Sequence, residues 1–171
     1  MKIAIIGYSG AGKSTLAKKL ADKYNYPLLY LDKINFKEDW QERDTKEAKA
    51  LVKDFMQNDS WVIDGNYRAL YQKERLKEAD QIIFLNFPRR ICFFRALKRY
   101  FNYKDSVRES AANGCIEKFD FEFAKWILVG GRCKKYRQNY NNICSLYKDK
   151  VIVCKNQRDV QKLHKLHSIF S

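Results

Sequence analysis

The sequence predicts an α/β domain, a parallel sheet of five strands covered by helices on both faces. Three observations point there. Five short apolar runs alternate with stretches of helical spacing. Parallel neighbours need crossovers, and right-handed helical crossovers cover both faces. A glycine-rich loop stands between the first run and the first helix. The chain has 171 residues, 46% of them hydrophobic, enough for the core of one domain over residues 1–171.

The elements follow in order. Lys2–Ile6 is apolar and isoleucine-rich, suited to a strand buried on both faces. Gly7–Gly12 is a loop, and Lys13–Tyr24 a helix with Leu16, Ala17 and Leu20 on one side. Leu28–Leu31 is the second strand, entered after Pro27 and closed by Asp32. Asp44 and Glu47 read as a capping pair ahead of a helix striped by Ala48, Leu51, Val52 and Phe55. Trp61–Ile63 is the third strand, closed by Asp64-Gly65, and a polar helix is expected over Arg68–Glu78. Gln81–Leu85 is the fourth strand. Pro88 suits the first position of the next helix, which carries Ile91, Phe94, Leu97 and Phe101. Residues 104–118 are polar and irregular. Phe119–Val129 is aromatic and helical in character, and Gly130-Gly131 interrupts or ends it. A basic helix over Arg132–Tyr147, a fifth strand at Val151–Val153 and a helix at Asp159–Ile169 complete the chain.

Composition excludes several classes. Seven Gly and two Pro rule out a collagen-like chain, and 15% aromatic residues argue against disorder. No apolar run approaches the ~18 residues of a membrane span. Met1–Ile6 runs straight into the glycine motif, leaving no room for a signal peptide. Five cysteines without a C-x-x-C pair imply reduced thiols and a cytoplasmic setting. Residues 1–85 carry 15 basic and 13 acidic side chains, whereas residues 86–171 carry 19 and 7. The second half is either a solvated basic surface or faces phosphates, of a small molecule or of a nucleic acid.

Gly7-Tyr-Ser-Gly-Ala-Gly12-Lys13-Ser14-Thr15 satisfies G-x-x-x-x-G-K-[ST]. Average residue usage gives a chance match less than about once in a hundred chains of this length. Glycines let the backbone N–H groups of the loop curl around a phosphate, and the helix N-terminus adds positive potential. Gly7, Ser9, Gly10, Ala11, Gly12, Lys13, Ser14 and Thr15 are therefore candidate ATP-binding residues. Lys13 supplies a cation to the β- and γ-phosphates, and Ser14 a hydroxyl to Mg²⁺. A dinucleotide site wants G-x-G-x-x-G. Here Gly10-Ala-Gly12 runs into Lys13-Ser14-Thr15, which excludes it.

Other residues fall just after strands, where ligands bind in such sheets. They are Asp32, Asp64-Gly-Asn-Tyr67, and the arginines Arg89, Arg90, Arg95 and Arg99. The chain lacks the Asn-Lys-x-Asp guanine motif and is short for the added subdomains of most motor or transporter ATPases. With these residues it resembles the small P-loop kinases, adenylate-kinase-like and shikimate/gluconate-kinase-like. Val62–Tyr67 looks like the Asp-Gly-Phe-Pro-Arg turn of adenylate kinases. It departs at Phe-Pro-Arg, with Arg68 one step on as a candidate substrate-binding residue. Ile83–Pro88, Arg95, Arg99, Cys115, Glu117 and Trp126 further resemble the bacterial proteins named for DNA topology modulation.

The resemblance implies a three-layer P-loop NTPase fold with strand order 2-3-1-4-5 and a helical lid at about 100–137. It places Asp64 beside a Mg²⁺ held by Ser14, and Asp32 at the acceptor as base or orienting group. Arg95 and Arg99, one helical turn apart, are candidate catalytic cations together with Lys13. Arg132 and Arg137 would close on ATP from the lid, and Lys155–Arg158 would flank the adenine. The implied function is Mg²⁺-dependent transfer of the γ-phosphoryl of ATP to a nucleotide, nucleoside or small alcohol, by a monomer or homodimer. The alternative is an ATP-regulated nucleic-acid-binding protein, although no reading module is visible.

Three constellations have plainer readings. His164 and His167 lack further ligands for a metal. Phe119, Phe121, Phe123 and Trp126 read as core or lid packing before base stacking. Cys115 and Cys133 read as buried thiols.

Overall fold

The computed structural model describes residues 1–104 and 106–169, with side chains described as far as Leu163; His164 and His167 lie outside the described side chains. The elements are β1 (Lys2–Gly7), α1 (Lys13–Tyr24), β2 (Leu28–Tyr30), α2 (Leu31–Asn35), α3 (Thr45–Phe55), β3 (Trp61–Asp64), α4 (Gln72–Glu78) and β4 (Gln81–Leu85). They continue with α5 (Arg89–Tyr103), α6 (Phe121–Leu128), α7 (Lys134–Leu146), β5 (Val151–Cys154) and α8 (Gln157–Ile169). Single 3₁₀ turns lie at Glu38–Trp40 and Gly130–Arg132.

The strands pair in parallel in the order β2-β3-β1-β4-β5, as expected. β1 is central, and Ile3, Ile5 and Ile6 are fully buried, which accounts for its unbroken apolar run. Register sets Ile5 against Asp64 and Gly7 against Leu85. The carboxyl ends of β1 and β3 therefore open side by side. Among the described residues, no helix is long and apolar enough to cross a membrane.

Several boundaries differ from expectation for local reasons. The helix expected from Arg68 begins only at Gln72, because Tyr71 adopts a left-handed conformation at its start. Pro88 caps α5 rather than opening it: its carbonyl accepts from the Cys92 N–H, and helical residues start at Arg89. Asp32 lies in the first turn of α2, not at the tip of a strand. Phe119 and Asp120 precede α6, and the Asp120 carboxylate caps it through the Phe123 N–H. α8 starts two residues earlier than expected, at Gln157. The Asp44 cap forms, accepting from the N–H groups of Lys46 and Glu47. Glu47 does not reach back, pairing instead with Arg43 and Lys37.

α5 turns over the expected packing face. Ile91, Phe94 and Phe101 point outward, and the small residues Cys92 and Ala96 are buried. Small side chains let the helix backbone approach the loop after β1. Phe93, Phe119 and Phe123 pack edge to face, joining α5 to α6, whereas Phe121 is exposed. Cys115 is buried as expected, but Cys133 is exposed.

Candidate active site

The loop between β1 and α1 is shaped by its glycines. Gly10 has φ 76° and Gly12, the N-cap of α1, has φ 93°. A Cβ on Gly10 would stand 2.2 Å from the carbonyl oxygen of Cys92 on α5. A Cβ on Gly12 would meet nothing nearer than an Arg95 nitrogen at 3.6 Å. The loop thus rests directly on the α5 backbone at one glycine and faces open space at the next. Lys13 Nζ donates to the Tyr8 carbonyl at 3.3 Å. Arg95 donates from Nη1 to the Ala11 carbonyl at 3.0 Å and from Nη2 to Gln157 Oε1 at 2.9 Å. Its guanidinium lies over the Phe87 ring.

Ser14 Oγ donates to Asp64 Oδ2 at 2.6 Å, joining the start of α1 to the end of β3. Asp64 Oδ1 is buried with no protein partner. Burial holds the carboxyl above the usual carboxylate range, while Lys13 and the Ser14 hydrogen bond pull it back. An unspent carboxylate oxygen beside a hydroxyl, at the mouth of an anion loop, fits a hard divalent cation such as Mg²⁺.

The turn after Asp64 addresses both sides of the cleft. Asn66 hydrogen-bonds the backbone of Gly7 twice, accepting from its N–H at 3.0 Å and donating to its carbonyl at 2.8 Å. It fixes the strand end that launches the phosphate loop. Tyr67, the next residue, donates its hydroxyl to Asp32 Oδ1 at 2.8 Å. Burial and the neighbouring Asp32 push this phenol up, so it stays a donor. Beneath the turn, Arg75 is fully buried and donates to the carbonyls of Leu70, Tyr67 and Gly65. Gln72 donates to the Asn66 carbonyl.

Opposite lies an ion network. Arg99 Nε and Nη2 both approach Glu117 Oε1, at 2.6 and 2.5 Å. Arg108 Nη2 lies 3.2 Å from Asp32 Oδ2, and its Nε 2.9 Å from Glu117 Oε2. Ser9–Thr15, Asp32, Asp64, Arg68, Arg95, Arg99, Arg108 and Glu117 all line one cleft of about 1440 Å³.

The expected residues are thus largely gathered, but not in one posture. Arg95 and Arg99 share a helix face yet diverge, one to the phosphate loop and one to Glu117. Arg132 lies behind the loop, its guanidinium 3.7 Å over the Tyr8 ring and bonded to the Phe87 carbonyl and Cys92 Sγ. Arg137 is exposed, near enough for its charge to act on the Tyr8 hydroxyl. Of Lys155–Arg158, Gln157 lines the cleft and Asn156 caps α8. Sequence reasoning marked Asn66 and Tyr67 only as strand-end residues and Glu117 only within a family resemblance, with no role in the site, and did not single out Arg75 or Arg108. The first two follow directly on a strand-end aspartate, a legible signal; the others depend on tertiary contacts.

The family model described as ABC transporter matches residues 1–119, the stretch from β1 through the phosphate loop and α5. A cytidylate kinase of Mycoplasmopsis pulmonis (strain UAB CTIP) is 42% identical over 85 residues, covering 43% of this chain and 37% of that protein. The match therefore spans little more than a third of that relative's length. A shikimate kinase from Bacteroides thetaiotaomicron aligns over 98% of both chains, with TM-score 0.56 and 19% identity. A deoxyadenosine kinase from M. mycoides with bound dATP aligns over 100% of both, with TM-score 0.56 and 18% identity. These two likenesses establish the fold. With its phosphate loop inside the matched stretch, the chain belongs to the P-loop nucleoside-triphosphatase family that the ABC transporter model describes.

Proposed function

We propose that the chain is an ATP-dependent phosphotransferase acting on a hydroxyl of a small molecule. The observation that carries this reading is a single cleft lined by the phosphate loop, the Ser14–Asp64 pair and Asp32. The basic surplus of residues 86–171 supports it too. Arg95, Lys98, Arg99, Arg108 and Lys118 line that cleft, where they serve a triphosphate rather than a distant surface.

The loop amides from Ser9 to Thr15 and the Lys13 ammonium hold the β- and γ-phosphates. Ser14 and Asp64 are the residues that would hold Mg²⁺, which when bound neutralises phosphate charge. Asp32 orients the acceptor hydroxyl and takes its proton as the acceptor oxygen bonds to the γ-phosphorus. The bond from that phosphorus to the β,γ-bridging oxygen breaks, and ADP leaves with the electron pair. Arg95, at the Ala11 carbonyl, and Arg99 supply positive charge to the spreading negative charge. The segment at about 100–137 serves as the lid that excludes water, with Arg68 at the acceptor rim; Arg132, over the Tyr8 ring, braces the phosphate loop instead of reaching the triphosphate, and Arg137 takes no part in the cleft.

The test is ATP consumption against panels of nucleotides, nucleosides and small alcohols, with the phosphorylated product identified. Lys13→Ala is expected to lose at least a hundredfold in turnover with whichever acceptor is used. Full turnover in that variant overturns the assignment.

A further inference from the structure

α5 carries an apolar stripe that the core does not use. Ile91, Phe94 and Phe101 stand at i, i+3 and i+10, on one face of the helix. They are 44%, 64% and 64% exposed, while Cys92 and Ala96 fill the buried face. None of the three lines the cleft, which takes Arg95 and Arg99 from the same helix. The exposed rings are held from behind. Phe94 stands edge-on to Phe93 with centroids 5.6 Å apart, and Phe101 to Tyr100 at 5.6 Å. Phe93 and Tyr100 both meet Phe119, at 5.4 and 6.2 Å. A backed ridge of apolar side chains thus projects from the outside of the helix.

Its surroundings carry one sign of charge. α5 contains no acidic residue. Arg89 and Arg90 are exposed at the end that carries Ile91, and exposed Lys98, which also lines the cleft, falls between Phe94 and Phe101. Among the described residues, none of these three cations is paired with a carboxylate.

Charge and area together choose the occupant. A second copy would set this basic face against its own, with no acidic residue on the helix to relieve the repulsion. The three apolar side chains expose about 300 Å², well below the ~800 Å² that each partner gives to a stable dimer. A nucleic-acid strand stacks its bases on ring faces along a groove, whereas this is a ridge that ends in an aliphatic side chain. An anionic lipid surface meets both features: Phe and Ile side chains enter the boundary between headgroups and acyl chains, and the basic residues beside them meet the headgroup charge.

We propose that the outer face of α5 is a peripheral docking surface for an anionic lipid bilayer. Ile91, Phe94 and Phe101 enter the headgroup layer, and Arg89 and Arg90 pair with its charge. The chain rests on the bilayer through this face; no described helix is long and apolar enough to cross it. The proposal is independent of the kinase reading.

Two measurements on the full chain test this. In the first, binding to extruded vesicles is followed by sedimentation, comparing phosphatidylcholine alone with a mixture containing about one-third phosphatidylserine. Binding to the mixture is expected to be at least tenfold tighter and to weaken as salt rises. Phe94→Ser combined with Phe101→Ser weakens it at least tenfold, and Arg89→Gln combined with Arg90→Gln several-fold, because either signal alone anchors only marginally. Binding to neither vesicle, equal binding to both, or binding that survives loss of both phenylalanines overturns the proposal.

In the second, Phe94→Trp reports where that side chain goes. Its emission is expected to shift to the blue on adding the anionic vesicles, and brominated acyl chains to quench it, beyond the change shown by the wild type with its own three tryptophans. An unshifted emission from vesicle-bound protein overturns the proposal, and this readout stands even where the double serine variant is destabilised. Without vesicles, sedimentation velocity and a labelled single-stranded oligonucleotide address the competing occupants. A dimer, or an oligonucleotide complex, that disappears with the two phenylalanines overturns the lipid assignment in favour of that occupant.

Discussion

Gly10 and Gly12 differ in their surroundings, and that difference fixes how alanine at each should behave. Both have positive φ, so each substitution forces an L-residue into left-handed backbone, at about 1–2 kcal/mol. At Gly12 that is the whole effect, since the added Cβ enters open space. At Gly10 the Cβ also lands 2.2 Å from the Cys92 carbonyl oxygen, a backbone atom of a packed helix. Loop or helix must shift by about 1 Å, and overpacking of this kind adds about 1–3 kcal/mol. Gly12→Ala should therefore lose about 1–2 kcal/mol of stability, and Gly10→Ala about 2–5 kcal/mol. Urea unfolding of the nucleotide-free proteins measures both, with the m-value confirming that the unfolding reaction is unchanged. Gly10→Ala should also bind ATP at least tenfold more weakly, because the shift displaces the amides that cradle the phosphates. Equal losses at the two positions, or a loss below about 0.5 kcal/mol at Gly10, would refute the argument that α5 backs the loop.

Other expectations are read with simpler tools. Arg75→Leu orphans the carbonyls of Leu70 and Gly65, at about 1–3 kcal/mol each. It also relieves the burial that pushes this guanidinium down to about 10. The first effect should win, lowering the urea midpoint by about 2 kcal/mol equivalent; a midpoint at or above wild type would show that desolvation dominates. At pH 8 an aromatic disulfide reagent should label Cys133 quickly and the other four cysteines slowly, because Cys133 is exposed. Burial also pushes the thiols of Cys92, Cys144 and Cys154 up, the last to about 11, so their thiolate fractions are small. Two or more fast thiols in the folded protein would contradict the packing, and denaturant should expose all five.

Much of the donor side could be read from the chain because its signals are local. A buried strand, four loop residues between two glycines, and a lysine at the head of a helix are neighbours in sequence and in space. The Ser14–Asp64 contact needed only the position of β3 beside β1, which the family resemblance supplied. The acceptor side was harder. Arg108 lies in a polar stretch without periodicity, and only the folded path of residues 106–118 brings it to Asp32. Arg75 stands between Lys73 and Lys77 in a polar helix, and nothing in the sequence distinguishes the buried cation from its exposed neighbours. On α5 the spacing of Ile91, Phe94 and Phe101 suggested the wrong face. The close approach to Gly10 selects small residues, so the buried side is marked by Cys92 and Ala96 rather than by bulk.

The turn after β3 carries a restriction on chain length. Surface loops usually tolerate insertion, since doubling a flexible loop adds only about 0.6 kcal/mol of closure entropy. Between Asp64 and Tyr67 there is no such latitude. Successive residues reach Ser14, the Gly7 backbone and Asp32 from one short path. One inserted residue would shift the amide and the phenol out of phase with their targets, severing the link between the two halves of the cleft. Engineered grafts or added loops therefore belong elsewhere, and this turn must keep its length.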